Sequence, residues 1–188
     1  MLFRSPPSVS SPRTAQFCST VPPSFMIARA TAGAARDGVA GALYPPAGVR
    51  GVIGGRAFGY GLQGSLPDYI ADANRHVVCV VQVETRGAVA DVDAMCAVPG
   101  IDCIFVGLSD LSVDLGHPGE FAHPAVEAAL DRVVAAARPR GIAVGIPIAD
   151  LSRAEGYRAR GISLFATTDR AFAANGATRF VGAVRPTS

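Results

Sequence analysis

The sequence predicts an α/β fold built on a parallel sheet, and three observations lead to this prediction. Short apolar runs, such as VVCVVQV at residues 77–83 and IDCIFVG at residues 101–107, alternate with segments of helical character at least three times. The runs are largely apolar and do not alternate with polar residues, which is typical of strands covered on both faces by helices. Each strand-to-strand unit is roughly 25–35 residues, as right-handed βαβ crossovers require. An open doubly wound sheet and a β/α barrel both satisfy these observations.

Local signals justify the individual elements. Thr31 is a candidate N-cap, Pro67 lies in a first helical turn, and Gly141 follows a helix of 3.6-residue periodicity. The Gly/Pro-rich residues 44–65 are predicted to be a loop. The predicted helices are residues 31–43, 66–76, 86–98, 124–141, 150–161 and 169–184, with a short helical turn at 109–116. The predicted strands are residues 77–83, 101–107, 142–148 and 162–168.

The composition excludes several kinds of chemistry. The chain has 188 residues, of which 49% are hydrophobic, and a formal net charge of +2. All seventeen cationic side chains are arginine, so no lysine is present to form a Schiff base or to complete a P-loop nucleotide site. No basic run indicates nucleic-acid binding, and no segment reaches the ~20 apolar residues of a membrane span. We therefore expect neither a nucleic-acid nor a membrane partner.

The first 25 residues differ from the rest of the chain, because they are rich in Ser and Pro and contain no acidic residue. We expect residues 1–25 to be an unstructured leader and residues 26–188 to be the folded domain. Organelle targeting by this leader is the alternative. The four cysteines, Cys18, Cys79, Cys96 and Cys103, form no zinc-binding spacing, and two of them lie inside apolar strands. This pattern favours a reducing, cytoplasmic location.

Two predicted strands are followed closely by an acidic residue. Glu84 ends the first strong strand, and Asp110 comes just after the second. In both candidate architectures the carboxyl ends of parallel strands meet at one edge, about 5 Å apart, so the two carboxylates are expected to face one cavity. Two carboxylates suit a divalent cation such as Mg²⁺ or Mn²⁺. The structural alternative is that Glu84 pairs with an arginine such as Arg86 or caps the next helix.

The turn between the second strand and its helix is a candidate anion-binding segment. Gly107 leads into Leu108, Ser109 and Asp110. Backbone amides at such a turn suit a bound carboxylate. The residues alone thus indicate metal-assisted chemistry on a small carboxylic acid.

The chain resembles the HpcH/HpaI aldolase family, the metal-dependent pyruvate aldolases related to citrate lyase β subunits. The matching blocks are YPPAGVRG (44–51), PDYIADAN (67–74), VQVETRGAV (81–89), VPGIDCIFVGLSDLSVDLG (98–116), HPAVEAAL (123–130), GIAVGIPIAD (141–150) and GISLFATTDRAF (161–172). The resemblance implies a (β/α)8 TIM-type barrel. It also implies a metal ion, Mg²⁺, Mn²⁺ or Co²⁺, held by Glu84 and Asp110. The carboxylate of pyruvate would lie on the amides of Gly107 to Asp110.

The implied reaction is cleavage or formation of a C–C bond in 4-hydroxy-2-oxo acids, giving pyruvate and an aldehyde, by a homo-oligomer. A complete barrel needs ~250 residues, whereas the resemblance covers residues 26–185 and aligns with the later part of the family. The first two to three βα units are therefore expected to be absent. In the family these units carry a catalytic histidine and an arginine.

Several alternatives follow from the incomplete match. The chain is either an active aldolase or a catalytically inactive fragment or interaction subunit, and a lyase that uses phosphoenolpyruvate or an acyl-CoA is a third candidate. His76, His117 and His123 are poor substitutes for the family's histidine, and His123 is a candidate helix cap. By the resemblance, the block that contains Arg50 is expected to be structural rather than substrate-binding. Pro147 stands where the family tends to place a larger apolar residue near the substrate.

Overall fold

The computed structural model describes residues 2–4, 24–27, 31–53, 55–62 and 64–185. Six strands form one sheet. They are β1 (Leu2–Arg4), β2 (Ser24–Ile27), β3 (Val78–Val83), β4 (Cys103–Val106), β5 (Ala143–Pro147) and β6 (Leu164–Ala166). The order across the sheet is β1-β6-β5-β4-β3-β2. Strands β2 to β6 run parallel, and β1 pairs antiparallel with β6.

Helices connect the parallel strands, as the alternating pattern predicts. The described helices are α1 (Ala32–Ala42), α2 (Leu66–His76), α3 (Arg86–Ala90), α4 (Val92–Cys96), α5 (Leu108–Asp114), α6 (Pro124–Ala137), α7 (Ala154–Ala159) and α8 (Asp169–Val184). Short 3₁₀ turns occupy Arg56–Gly61, Arg138–Arg140 and Leu151–Arg153. The four predicted strands and the predicted helices at 31–43, 66–76, 124–141 and 169–184 are therefore confirmed within a few residues.

Side-chain caps fix where several helices begin. The hydroxyls of Thr31, Ser65 and Thr168 accept hydrogen bonds from amides in the first turns of α1, α2 and α8. Such bonds satisfy donors that the helix itself leaves unpaired. At the end of α6 the chain passes through Gly141, whose φ of 66° favours glycine. The boundaries predicted from Thr31 and Gly141 therefore have local causes.

The sheet buries both of its faces. Alternate residues along β4 point in opposite directions: Ile104 and Val106 join a large core beneath the helices, whereas Cys103 and Phe105 join a smaller cluster with Val78. All five side chains are buried. Burial on both faces explains why the strands read as continuous apolar runs.

The segment predicted as one helix at 86–98 is two short helices that meet at Asp91. Asp91 has φ −88° and ψ 3°, outside the helical range, and its carboxylate accepts a 2.7 Å hydrogen bond from the amide of Ala32. Because this contact joins residues 59 positions apart, no local pattern indicates it. The helix therefore breaks for a tertiary reason.

Strands β1 and β2 lie near the start of the chain, where no strand was predicted. Runs of three and four residues are too short to show a periodic pattern. The boundary between a leader and a domain at residue 26 stays a prediction. Of the cysteines, Cys79, Cys96 and Cys103 are buried, as predicted for Cys79 and Cys103, and Cys18 lies outside the described residues. Among the described helices none has both the length and the hydropathy that membrane crossing demands.

Candidate functional site

Glu84 is the first residue after β3, and its side chain is only 6% exposed. Its Oε2 accepts a 2.8 Å hydrogen bond from Nε2 of Gln82. Because β3 and β4 pair with Val83 opposite Val106, the next residue on the neighbouring strand is Gly107. The amide of Gly107 donates to the carbonyl of Val83 at 2.9 Å. The sheet thus holds Glu84 and Gly107 side by side at its carboxyl edge.

Gly107 leaves room for the carboxylate. A Cβ at this position would lie 3.2 Å from Oε2 of Glu84 and 3.0 Å from Nε2 of Gln82. Contacts this short are tighter than ordinary packing, so any larger residue would push the carboxylate aside. Its φ of −78° is open to any residue. Glycine is therefore required here for space rather than for backbone conformation.

Helix α5 starts directly at this glycine. Gly107 is the N-cap, so the cap residue itself has no side chain that could bond to the first amides of the helix. Leu108, Ser109 and Asp110 form the first turn, with Leu108 buried and the side chains of Ser109 and Asp110 exposed. The sequence-predicted residues Glu84 and Gly107 are thus in contact, and Asp110 lies one helical turn further along.

The structure bears on one structural alternative for Glu84, that it caps the next helix. Helix α3 is capped by Thr85, whose hydroxyl accepts a 3.1 Å hydrogen bond from the amide of Ala88, so Glu84 is not the cap. Arg86 contacts Asp114 at the end of α5: its amide donates to the Asp114 carboxylate at 2.6 Å, and its guanidinium donates to the Asp114 carbonyl at 3.3 Å. These contacts join the start of α3 to the end of α5.

A cavity of about 390 Å³ lies beside the first turn of α5, where β4, β5 and β6 end. Most of its walls are apolar, and a few polar groups converge on it, as in many small-molecule sites. Its lining residues are Leu108, Ser109, Phe121, Pro147, Ile148, Ala149, Asp150, Arg153, Tyr157, Ala166, Thr167, Thr168 and Ala171. The described residues that line the cavity include no histidine. Pro147, expected near the substrate by resemblance, lines the cavity.

Two charged residues at this cavity were not predicted from the sequence. The hydroxyl and the amide of Ser152 donate to Oδ1 of Asp150 at 2.8 and 3.0 Å, and these bonds lower the pKa of the Asp150 carboxyl below its ordinary value. Asp150 therefore stays ionised at neutral pH. The guanidinium of Arg153 lies 5.1 Å from the centre of the Tyr157 ring, within cation–π range.

Glu84, Gly107 and Asp110 are not among the lining residues of the cavity, and the candidate histidines and Arg50 lie outside it as well. His76 is the last residue of α2, and its Nδ1 is 2.9 Å from the carbonyl oxygen of Asp72. It precedes β3, whereas Glu84 follows this strand, so the two residues lie at opposite ends of it. The guanidinium of Arg50 lies 4.6 Å from the ring centre of Tyr44. His123 caps α6, since its Nδ1 accepts a 3.2 Å hydrogen bond from the amide of Ala125. The predicted cap at His123 is confirmed.

Comparison with known proteins indicates a family for the chain. The family model described as HpcH/HpaI aldolase/citrate lyase matches residues 25–169. A hydroxypyruvate/pyruvate aldolase from Paraburkholderia phytofirmans is 41% identical over 127 residues, which cover 68% of this chain and 47% of the relative. A 4-hydroxy-2-oxo-heptane-1,7-dioate aldolase from Salmonella arizonae is 42% identical over 124 residues, 65% of this chain and 46% of the relative.

Solved structures show the same fold. An HpcH/HpaI aldolase/citrate lyase family protein from Burkholderia cenocepacia J2315 superposes with a TM-score of 0.79 at 36% identity, covering 87% of this chain and 65% of that one. An HpcH/HpaI aldolase from Desulfitobacterium hafniense DCB-2 gives a TM-score of 0.78 at 29% identity, with 88% and 64% covered.

The chain thus spans less than half of these two relatives and just under two thirds of the two solved structures. The predicted fold, a TIM-type β/α barrel that is incomplete, is confirmed. A family match over most of the chain, together with this sheet, shows that the protein belongs to the HpcH/HpaI aldolase/citrate lyase family.

Proposed function

We propose that the protein is a divalent-metal-dependent class II aldolase that cleaves or forms a C–C bond in 4-hydroxy-2-oxo acids. Cleavage gives pyruvate and an aldehyde, and the reverse reaction joins them. The observation that carries this proposal is the buried Glu84 carboxylate, held against the space that Gly107 leaves at the start of α5. The relatives named as aldolases of hydroxypyruvate and of a 4-hydroxy-2-oxo acid support the substrate class.

The residues fit the metal ion on which HpcH/HpaI class II aldolases depend. Glu84 and Asp110 supply carboxylate oxygens, the donors that Mg²⁺ and Mn²⁺ prefer, with Co²⁺ as a further candidate. When bound, the ion would polarise the keto oxygen of the 2-oxo acid and stabilise the negative charge that develops there. The absence of lysine agrees with this chemistry, because an imine cannot replace the metal.

The protein's own groups would bind and orient the substrate. The amides of Gly107, Leu108, Ser109 and Asp110 would receive the carboxylate of pyruvate, since helix N-termini favour anions. The apolar cavity next to Ser109 would hold the aldehyde half and exclude water from it. Thr167 and Thr168 offer hydroxyls on the same wall.

The alternative is an inactive fragment or an interaction subunit of such an enzyme. One observation favours it: within the described part of the chain no histidine lines the cavity, so no imidazole is placed there as a general base.

Metal binding and turnover should be measured separately on the purified chain. We expect Mn²⁺ to bind with one-to-one stoichiometry in calorimetry. We also expect pyruvate release from a 4-hydroxy-2-oxo acid, followed with lactate dehydrogenase, to stop when EDTA is added. Binding without turnover would support the interaction subunit. A chain that is folded by circular dichroism but binds no Mn²⁺, Mg²⁺ or Co²⁺ would contradict the proposed site.

We also propose that the protein is a homo-oligomer in which α8 packs against a second copy. Phe180 and Val184, four residues apart and so on one face of α8, are 68% and 61% exposed, and Val181 beside them is 45% exposed. A contiguous apolar helix face of this kind is characteristic of an interaction surface.

Phe180→Glu is expected to dissociate the oligomer, because a carboxylate in an apolar contact loses its hydration without gaining a partner. Light scattering after gel filtration would measure the mass. Arg179→Glu, a charge change at the preceding residue, is the control for nonspecific charge effects. An unchanged mass for Phe180→Glu would place the contact elsewhere. We also propose a cytoplasmic location, because Cys79, Cys96 and Cys103 lie in the core as small apolar side chains do.

A further inference from the structure

The connection between α5 and α6 contains a group of metal-ligating side chains that takes no part in the proposed aldolase site. We propose that His117, Glu120 and His123 form a second cation site, selective for Zn²⁺ and similar transition metals. One potential ligand atom from each residue lies within 4.8 Å of the other two. The residues recur every third position along the connection, and none of them lines the 390 Å³ cavity.

Backbone hydrogen bonds hold this connection in shape. The amide of His117 donates to the carbonyl of Ser112 at 2.8 Å, and the amide of Gly119 donates to the Ser112 hydroxyl at 3.0 Å. Ser112 itself is fully buried. Further along, the amide of Glu120 donates to the His117 carbonyl at 3.1 Å, and the amide of His123 donates to the Glu120 carbonyl at 2.9 Å. The three side chains therefore start from fixed positions, which lowers the entropic cost of gathering them round an ion.

The donor set decides which ion fits. Two imidazole nitrogens and one carboxylate oxygen, with water in the fourth position, are a ligand set found at zinc sites. Mg²⁺ and Mn²⁺ favour oxygen donors. In a tetrahedral zinc site neighbouring ligand atoms are about 3.3 Å apart. The ligand atoms of His117, Glu120 and His123 lie within 4.8 Å of one another, so each pair must move closer by roughly 1.5 Å at most. Both imidazoles are half-buried and Glu120 is exposed, so side-chain rotation can supply this movement.

Coordination would change two contacts that the structure shows. The rings of His117 and His123 stack with centroids 3.3 Å apart and an angle of 18° between their planes. A ligating lone pair lies in the plane of its ring, so the two rings must unstack to share one ion. Nδ1 of His123 also accepts from the amide of Ala125. A metal on Nδ1 uses that lone pair, and a metal on Nε2 leaves a proton on Nδ1, so either mode releases the cap bond.

The site would act on the wall of the main cavity. Phe121, between Glu120 and His123, lines that cavity. Arg153 lines both the cavity and the adjoining surface hollow formed by Gly119 to His123. An ion bound to residues on both sides of Phe121 would restrict the movement of this ring. The second site would thus lie against the wall of the proposed aldehyde pocket, and only this relation rests on the proposed function.

The proposed zinc site can be tested by titrating the full chain with Zn²⁺ or Co²⁺. Excess Mg²⁺ is present, so that the carboxylate site of Glu84 and Asp110 is already occupied. We expect one equivalent of Zn²⁺ by calorimetry, and Co²⁺ should give the intense visible absorption of a tetrahedral site. His117→Ala and Glu120→Gln should each weaken Zn²⁺ binding roughly tenfold or more. His123→Asn is the sharpest variant, because asparagine still caps the helix through its side-chain oxygen but offers no imidazole.

Two matched controls separate this site from others. His76→Ala removes a histidine at the end of α2, and Glu84→Gln removes the carboxylate of the proposed aldolase site. Both should bind Zn²⁺ as the unchanged chain does. The proposal is overturned if His123→Asn, with its helix content retained by circular dichroism, binds Zn²⁺ with unchanged affinity. It is also overturned if Glu84→Gln abolishes Zn²⁺ binding, because the ion then occupies the other site.

Discussion

Glu84→Gln is expected to weaken Mn²⁺ binding by roughly 100-fold or more, a larger loss than changes outside the ligand shell cause. The substitution removes a charge but keeps the size of the side chain. Its amide oxygen can still accept the hydrogen bond from Nε2 of Gln82, so the strand end should keep its conformation. The effect is large because Glu84 is only 6% exposed, and water cannot replace a buried ligand as it can at the surface. Calorimetric titration with Mn²⁺ measures the loss.

Glu155→Gln is the matched control, because the same chemical change is made on α7, where Glu155 forms an exposed pair with Arg158. Its Mn²⁺ affinity should equal that of the unchanged chain. Asp110→Asn tests the other half of the site and should also weaken binding. If Glu84→Gln binds Mn²⁺ normally while Asp110→Asn does not, the ion is held without the buried carboxylate and the proposed ligand pair is wrong.

Sequence reasoning succeeded where the cause of a structural feature is local. Thr31 and Gly141 mark helix ends through hydrogen bonds and dihedral angles that a few neighbouring residues determine. The continuous apolar strands follow from burial on both faces of the sheet. The break at Asp91 was missed because it depends on the amide of Ala32, 59 residues away. The barrel, as opposed to an open sheet, required the family resemblance.

The same distinction applies to the candidate site. Glu84 and Gly107 were indicated because each follows a strong strand, and the pairing of Val83 with Val106 makes them neighbours. Thr167 and Thr168 also follow a strand, so the strand-end rule would have found them had it been applied to β6. Arg153 carries no such signal. Its place at the cavity depends on how the 3₁₀ turn after β5 packs.

Leu111→Ala is expected to lower the free energy of unfolding by about 2–5 kcal/mol, a large share of a typical domain's total of roughly 5–15 kcal/mol. Leu111 is 0% exposed and belongs to the main core. Its amide also donates to the carbonyl of Gly107 at 2.9 Å. The side chain thus anchors the helix whose first turn carries Asp110. Urea unfolding followed by circular dichroism would measure the change.

Val113 provides a control on the same helix, because it is 61% exposed. Val113→Ala should change stability by less than about 0.5 kcal/mol, and Leu111→Met, which conserves volume, should cost less than about 1.5 kcal/mol. Under conditions in which Leu111→Ala is still folded, it should bind Mn²⁺ more weakly than Val113→Ala does, since the cavity left behind loosens the turn from Gly107 to Asp110. Equal stability losses for Leu111→Ala and Val113→Ala would show that α5 is not anchored through Leu111. Equal Mn²⁺ affinities would show that the position of this turn does not depend on the core.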